Sequence, residues 1–266
     1  MTEIQKLTNV DIEDLVHLQP EGWPDIREAL KNYLDYDFCM PVVIKKNKQI
    51  VATGTAIEYK STGWLAHVIV TENERGKGLG KQIVKYLCEY LFSKRKSSIL
   101  LMASPAGRPL YLKYGFTDVI EYIRYNKPIE PLTRNLSEAP VLKEKDKSEI
   151  LKLDQIISGE DRRNYLSLCL DKGYCIKKGK TVTGYYLPLC GEGVVAALDI
   201  ETAKKLMRIR SEYSNWAVVP SVNKEACSNY EKAGYESSLV VTRMSVGKKL
   251  VWKADSVYNR IGGNWG

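Results

Sequence analysis

The residues most able to do chemistry lie in Arg75-Gly76-Lys77-Gly78-Leu79-Gly80-Lys81. Closely spaced glycines let a backbone turn approach an anion, and the cations among them favour phosphate. Spacing restricts whose phosphate that is. An ATP-binding P-loop needs Gly, four residues, then Gly-Lys and a hydroxyl residue for magnesium. Here Arg75 stands where the first Gly belongs, and Gln82 replaces Ser or Thr. A dinucleotide fingerprint needs Gly-x-Gly-x-x-Gly, but Gly76, Gly78 and Gly80 fall at every second position and Lys81 takes the place of the third Gly. What remains is either Arg-x-x-Gly-x-Gly, carried by Arg75, Gly78 and Gly80, or an ordinary Gly-rich strand-to-helix turn on a basic surface.

Such a loop works only where neighbouring elements hold it. Leu65 to Val70 is an apolar run that reads as a strand, and Gln82 to Phe92 has the period of an amphipathic helix. The loop therefore sits at a helix N-terminus, where the dipole adds positive potential. Further on, Ser98 to Ala103 is a second apolar strand candidate. Ser104-Pro105-Ala106-Gly107-Arg108 follows it, then Pro109-Leu110-Tyr111-Leu112-Lys113-Tyr114-Gly115-Phe116. Gly115 suits a helix C-terminus, since Gly accepts the left-handed conformation there.

These two motifs, in this order, resemble those of the GCN5-related N-acetyltransferases (GNAT). The resemblance implies acetyl-CoA as co-substrate, with no metal, held by Val68, Val70, Arg75, Gly76, Lys77, Gly78, Leu79, Gly80, Lys81, Ser104 and Tyr111. It implies a splayed strand before the loop, with the Val68 N–H as oxyanion donor, and Tyr111 as general acid. A phenol of pKa about 10 stays protonated at neutral pH and can protonate a thiolate whose acid has a pKa of about 8.5. Ladder hydrogen bonding for Val68 and core packing for Tyr111 are the plainer readings. Some family members place a base four residues before the Val68 position, where this chain has Trp64. Glu58, on the preceding strand, is the candidate base. Strand alternation places His67 on the face opposite Trp64, Ala66 and Val68. Trp23, Asp25 and Trp64 are the substrate-side candidates. Trp23, Tyr33, Tyr36, Phe38, Tyr59 and Trp64 either line a pocket for a small amine or pack half-buried on amphipathic elements.

With 266 residues the chain has room for two domains of ordinary size. The expected fold is α/β, layered: two tandem GNAT folds, each a mixed, mostly antiparallel central sheet flanked by helices. Residues 1–128 form the catalytic domain, 129–149 a linker rich in Pro and charge, and 150–266 a degenerate GNAT-like domain without a pyrophosphate loop. Tyr111 to Phe116 is echoed by Tyr230 to Tyr235, but no Arg-x-x-Gly-x-Gly occurs between Val194 and Arg208. The second half resembles the C-terminal domain of YitH-type tandem acetyltransferases through Asp154, Gly159-Glu160-Asp161-Arg162, Gly173-Tyr174, Asn223, Gly234-Tyr235 and Arg243-Met244. The resemblance implies a domain that walls the substrate cleft; a packing partner is the alternative. Asp161 and Arg162 read as a surface ion pair or helix cap.

Net charge is +8, from 40 Lys and Arg against 32 Asp and Glu. The lysine runs fall at turns and helix ends with no recognition motif beside them, so no nucleic-acid partner is expected. Six scattered cysteines and two distant histidines suggest neither a metal site nor a disulfide framework. No apolar run approaches the roughly 18 residues of a membrane span, so no membrane partner and a cytoplasmic location are expected. The expected activity is direct acetyl transfer from acetyl-CoA to a primary amine of a small molecule. A CoA-responsive regulatory protein without turnover, or an acetyltransferase for protein Lys or N-termini, are the alternatives.

Overall fold

A computed structural model describes residues 3–128 and 140–266. Of the expected 129–149 linker, residues 129–139 lie outside the described residues, and a helix already begins at Lys147. The first half contains β1 (Ile4–Lys6), α1 (Ile26–Leu34), β2 (Cys39–Lys46), β3 (Gln49–Glu58), β4 (Thr62–Val70), α2 (Leu79–Ser93), β5 (Ser98–Ala103), α3 (Arg108–Leu112) and β6 (Thr117–Asn126). The second contains α4 (Lys147–Ser158), α5 (Arg163–Leu166), β7 (Tyr174–Lys178), β8 (Thr181–Leu187), β9 (Val194–Ala197), α6 (Ile200–Ser211), β10 (Trp216–Pro220), α7 (Lys224–Lys232), β11 (Glu236–Gly247) and β12 (Val257–Asn259). The order β2-β3-β4-α2-β5-α3-β6 thus recurs as β7-β8-β9-α6-β10-α7-β11.

Local chemistry accounts for these elements. Val, Ile and Thr dominate β2 and β3, and Asn47 and Lys48 between them both take positive φ, the conformation that turns a tight hairpin. Helices begin at side-chain caps: Asp25 accepts from Arg27 N–H, Asp199 from Thr202 N–H and Asn223 from Ala226 N–H.

Long-range pairing then interlocks the halves. An eight-stranded sheet runs β1-β2-β3-β4-β5-β11-β6-β10, and a four-stranded sheet runs β12-β9-β8-β7. β11 lies between β5 and β6, antiparallel to both, while β6 lies between β11 and β10. Each half therefore lends a strand to the other, across the segment that the sequence marks as a linker. Among the described strands only β4 and β5 pair in parallel, so the fold is the mixed, mostly antiparallel sheet flanked by helices that the sequence implies.

The cores follow the same division. One, under α1, combines Leu15, Leu30 and Trp64 with Ile150, Leu166 and Trp265, so it belongs to both halves. A second lies between the sheet and α2, and a third under α6 and α7. Buried charge joins the halves as well. Glu160 accepts from Thr62 Oγ1 (2.6 Å), Trp64 Nε1 (2.9 Å) and Arg243 Nη2 (3.1 Å). Arg162, expected at the surface, is buried and pairs with Asp154 at 2.6 Å, because α4 and the segment Gly159–Arg162 fold inward against the first half. Asp161 pairs instead with Arg163 at 2.7 Å.

Candidate active site

The glycine loop turns sharply into the start of α2. Gly76 and Gly78 have φ of +76° and +85°, and a Cβ at either would meet no atom within 4 Å. Backbone conformation, not crowding, is what requires glycine there. Gly78 is the N-cap of α2; no side chain caps this end, and the first turn carries no acid. Gln82 N–H to Gly78 C=O (3.1 Å) is a bond of the first turn, so the amides before it face outward from the helix end. Gly80 serves packing: a Cβ would lie 3.2 Å from Leu110 and 3.6 Å from Val70, so its absence brings α2 onto α3 and β4. Arg75 donates to Val70 C=O (3.2 Å) and pairs with Glu72, with 60% of its side chain exposed. Lys77 pairs with Glu74, which Lys46 also holds.

The strand leading into this loop parts from its neighbour. β4 pairs with β5 only at Thr62, Gly63 and Trp64, so Leu65–Val70 runs on without a partner on that side. On its other side the register with β3 shifts: Thr55 faces Ala66 and Thr53 faces Ile69, leaving His67 and Val68 opposite Gly54. This is a β-bulge, with His67 at φ +47°. Because one extra residue breaks the period of two, His67 joins Trp64 and Ala66 on the α1 face while Val68 turns toward the α2 core. The alternation expected from sequence is thereby corrected at both positions. Gly54 is needed opposite the bulge, since a Cβ there would lie 2.4 Å from Ile83 of α2.

His67 is held from two directions. Its Nδ1 lies 2.9 Å from the Tyr33 hydroxyl, which in turn accepts from Asn264 Nδ2. With Asn264 donating to it, the Tyr33 hydroxyl is free to donate to Nδ1, an arrangement that leaves the imidazole proton on Nε2. Burial pushes the His67 pKa down to about 4, which keeps the ring neutral at physiological pH. The half-exposed Trp23 ring meets it edge-on at 6.0 Å. Asn264 had no sequence signal, since it reaches the site only because the C-terminal segment packs against α1.

Tyr111 lies on the other side of the sheet from His67, in the core under α2. It is 8% exposed, its ring is edge-on to Phe116 at 5.9 Å, and burial pushes its pKa up to about 12. Ser104 Oγ accepts from Gly107 N–H (3.1 Å) at the start of α3. Tyr114 donates to Lys81 C=O (2.9 Å), fastening α3 to the first turn of α2. Tyr111 thus shares the α2-side core with Leu79 of the loop and with Val68 and Val70 of β4.

Three candidates fall outside it. Glu58 pairs with Gly63 at the far end of β4, seven residues from Val70 and so roughly 23 Å along the strand from the loop. It accepts from Tyr90 (2.7 Å) and pairs with Lys96 (3.0 Å), which removes it as the base. Trp64 is fully buried with its indole N–H on Glu160, so it is core and not a pocket wall. Asp25 caps α1 and pairs with Arg27 at 2.6 Å. The aromatic cluster is a pocket that the chain fills itself. Trp265 stacks on Tyr165 at 3.9 Å and meets Tyr33, Tyr36 and Phe38 edge-on, while Tyr59 donates to its carbonyl (2.8 Å).

The glycine loop, bulge and Tyr111 all lie within residues 6–116, which match the model of the acetyltransferase (GNAT) family. Over these residues the chain is similar to a GNAT domain. The whole fold is similar to that of a Pyrococcus horikoshii protein named provisionally as an acetyltransferase: 21% identity, TM-score 0.83, covering 100% of this chain and 96% of that one. A conserved Enterococcus faecalis protein of unknown function shares 12% identity at a TM-score of 0.56, covering 93% of this chain and 73% of its own. No curated protein matches. No helix of the described residues is long and apolar enough to cross a membrane, and no group of three His, Cys, Asp or Glu among them is placed to hold a metal ion.

Proposed function

We propose that the chain is an acetyl-CoA-dependent N-acetyltransferase that passes the acetyl group directly to a primary amine of a small molecule. The observation that carries this is the parting of β4 from β5 immediately before the uncapped, glycine-led start of α2. Acetyl-CoA would supply the activated thioester. The amides of Gly78 to Lys81 and the Arg75 and Lys77 cations would hold its pyrophosphate, and the unpaired edge of Val68 and Val70 its pantetheine arm. Val68 N–H is assigned to the thioester oxygen, where charge develops in the transition state. Tyr111, protonated at every physiological pH, is assigned to donate its proton to the departing thiolate. His67 takes the place of Glu58 as the titratable group beside Val68; with Nδ1 occupied it is a neutral donor that orients the acceptor.

The recurrence of element order supports a tandem reading, with residues 1–128 catalytic and 150–266 a GNAT-like half of YitH type. That second half carries no cradle, but it supplies β11 to the sheet and Asn264 to the His67 chain. Its closure over the α1 face favours a small, enclosed acceptor over a peptide. One observation favours a second reading: Trp265 fills the aromatic pocket, as it would in a CoA-responsive protein without turnover. Thiol release from acetyl-CoA, measured across amines, amino acids, polyamines and peptides beside CoA calorimetry, separates the two. Turnover on an amine supports the enzyme, tight CoA binding without turnover on any of them supports the regulatory protein, and failure to bind CoA overturns both.

A further inference from the structure

Three guanidinium groups line one cavity between the halves. Arg243 enters from β11, Arg162 from the turn before α5, and Arg260 from just after β12; Tyr122 of β6, Ser158 of α4 and Tyr185 of β8 add hydroxyl groups to the wall. Each arginine has a carboxylate partner: Arg162 with Asp154, Arg243 with Glu160 and Arg260 with Glu192. None of those carboxylates lines the cavity. Gly266 also lines the cavity, and its carbonyl accepts from Arg162 Nη1 (3.2 Å), so Arg162 is held on both sides.

Two donors there lack an acceptor. Arg243 Nε and Arg260 Nη1 are buried with no hydrogen-bond partner, and Arg243 is 2% exposed. Trp64 and Trp252 flank the Arg243 guanidinium at 5.1 and 4.2 Å from their ring centroids, so its faces meet rings that offer no lone pair. A buried N–H of a charged group without an acceptor is costly. The space beside both arginines is the cavity, whose free volume of about 20 Å³ takes one occupant the size of a water molecule or a halide.

We propose that this cavity binds one small inorganic monoanion of chloride size, received by Arg243 Nε and Arg260 Nη1. A neutral water also accepts, but hydrogen bonds from two guanidinium groups are stronger to a charged acceptor. The ion would clamp β11 and the segment after β12 onto β6, and so fasten the strand exchange. The assignment is independent of the acetyltransferase reading.

Bromide tests it directly. Crystals of the whole chain grown or soaked in bromide should show an anomalous peak in the cavity. At constant ionic strength, replacing chloride by gluconate, which is too large to enter, should lower Tm by about 2–4 °C. Arg260→Lys, which keeps the charge facing Glu192 but removes Nη1, should abolish that chloride dependence. A water molecule with no anomalous signal in the unaltered protein overturns the site whatever the melting curves show.

Discussion

At the scale of single residues, the site sets two pKa values apart, chiefly by burial. Tyr111, raised to about 12, keeps its proton throughout any ordinary assay. Tyr111→Phe is expected to lower kcat about 10- to 100-fold with CoA affinity unchanged, within the usual contribution of a general acid. A variant with unaltered kcat from pH 6 to 9 would remove the assigned role. His67 moves the other way, to about 4 from its ordinary 6.5. Between those values the unfolded chain binds a proton that the folded chain refuses. The stability tied to His67 is therefore complete above about pH 6.5 and is lost as pH falls toward 4, by up to about 3 kcal/mol. His67→Gln keeps a neutral donor and should flatten that part of the stability curve, as read by denaturant titration at several pH values.

At the scale of elements, the loop and the bulge depend on backbone conformations that side chains resist. Gly78 at φ +85° caps α2, so Gly78→Val would strain that cap by about 1–2 kcal/mol and turn the amides away from the anion. Calorimetry should show CoA affinity falling at least tenfold while circular dichroism stays unchanged; undiminished affinity would show that the cradle is misassigned. The bulge explains why reading β4 by alternation failed. Leu65 to Val70 has the composition of a strand, but nothing in Ala66-His67-Val68 announces an extra residue. The bulge is paired against Gly54, where α2 must come close, and that requirement lies in the packing of three elements. Glu58 failed for a related reason: its position in β3 was legible, but which end of β4 it faces depends on hairpin register.

At the scale of the whole molecule, strand exchange makes the halves a single structure. Residues 1–128 alone would lack β11 and expose the edges of β5 and β6, together with a core built to receive Leu166 and Trp265. That fragment is expected to aggregate or remain unfolded, and the full chain to melt in one cooperative transition, as size-exclusion chromatography and calorimetry can establish. A monomeric, folded fragment would contradict the shared core. By itself the sequence determined the glycine turn between β4 and α2, its lack of a magnesium ligand, the helix that carries Tyr111 and the echo of that helix in the second half. Each rests on residue type and short spacing, which local geometry converts directly into structure. The tertiary structure alone decided that β11 inserts between β5 and β6, that β4 carries a bulge, that His67 shares the α1 face with Trp64, and that Trp265 fills the aromatic pocket. Those outcomes depend on contacts between residues tens to hundreds of positions apart, and the free energy of such contacts is written in no single segment of the chain.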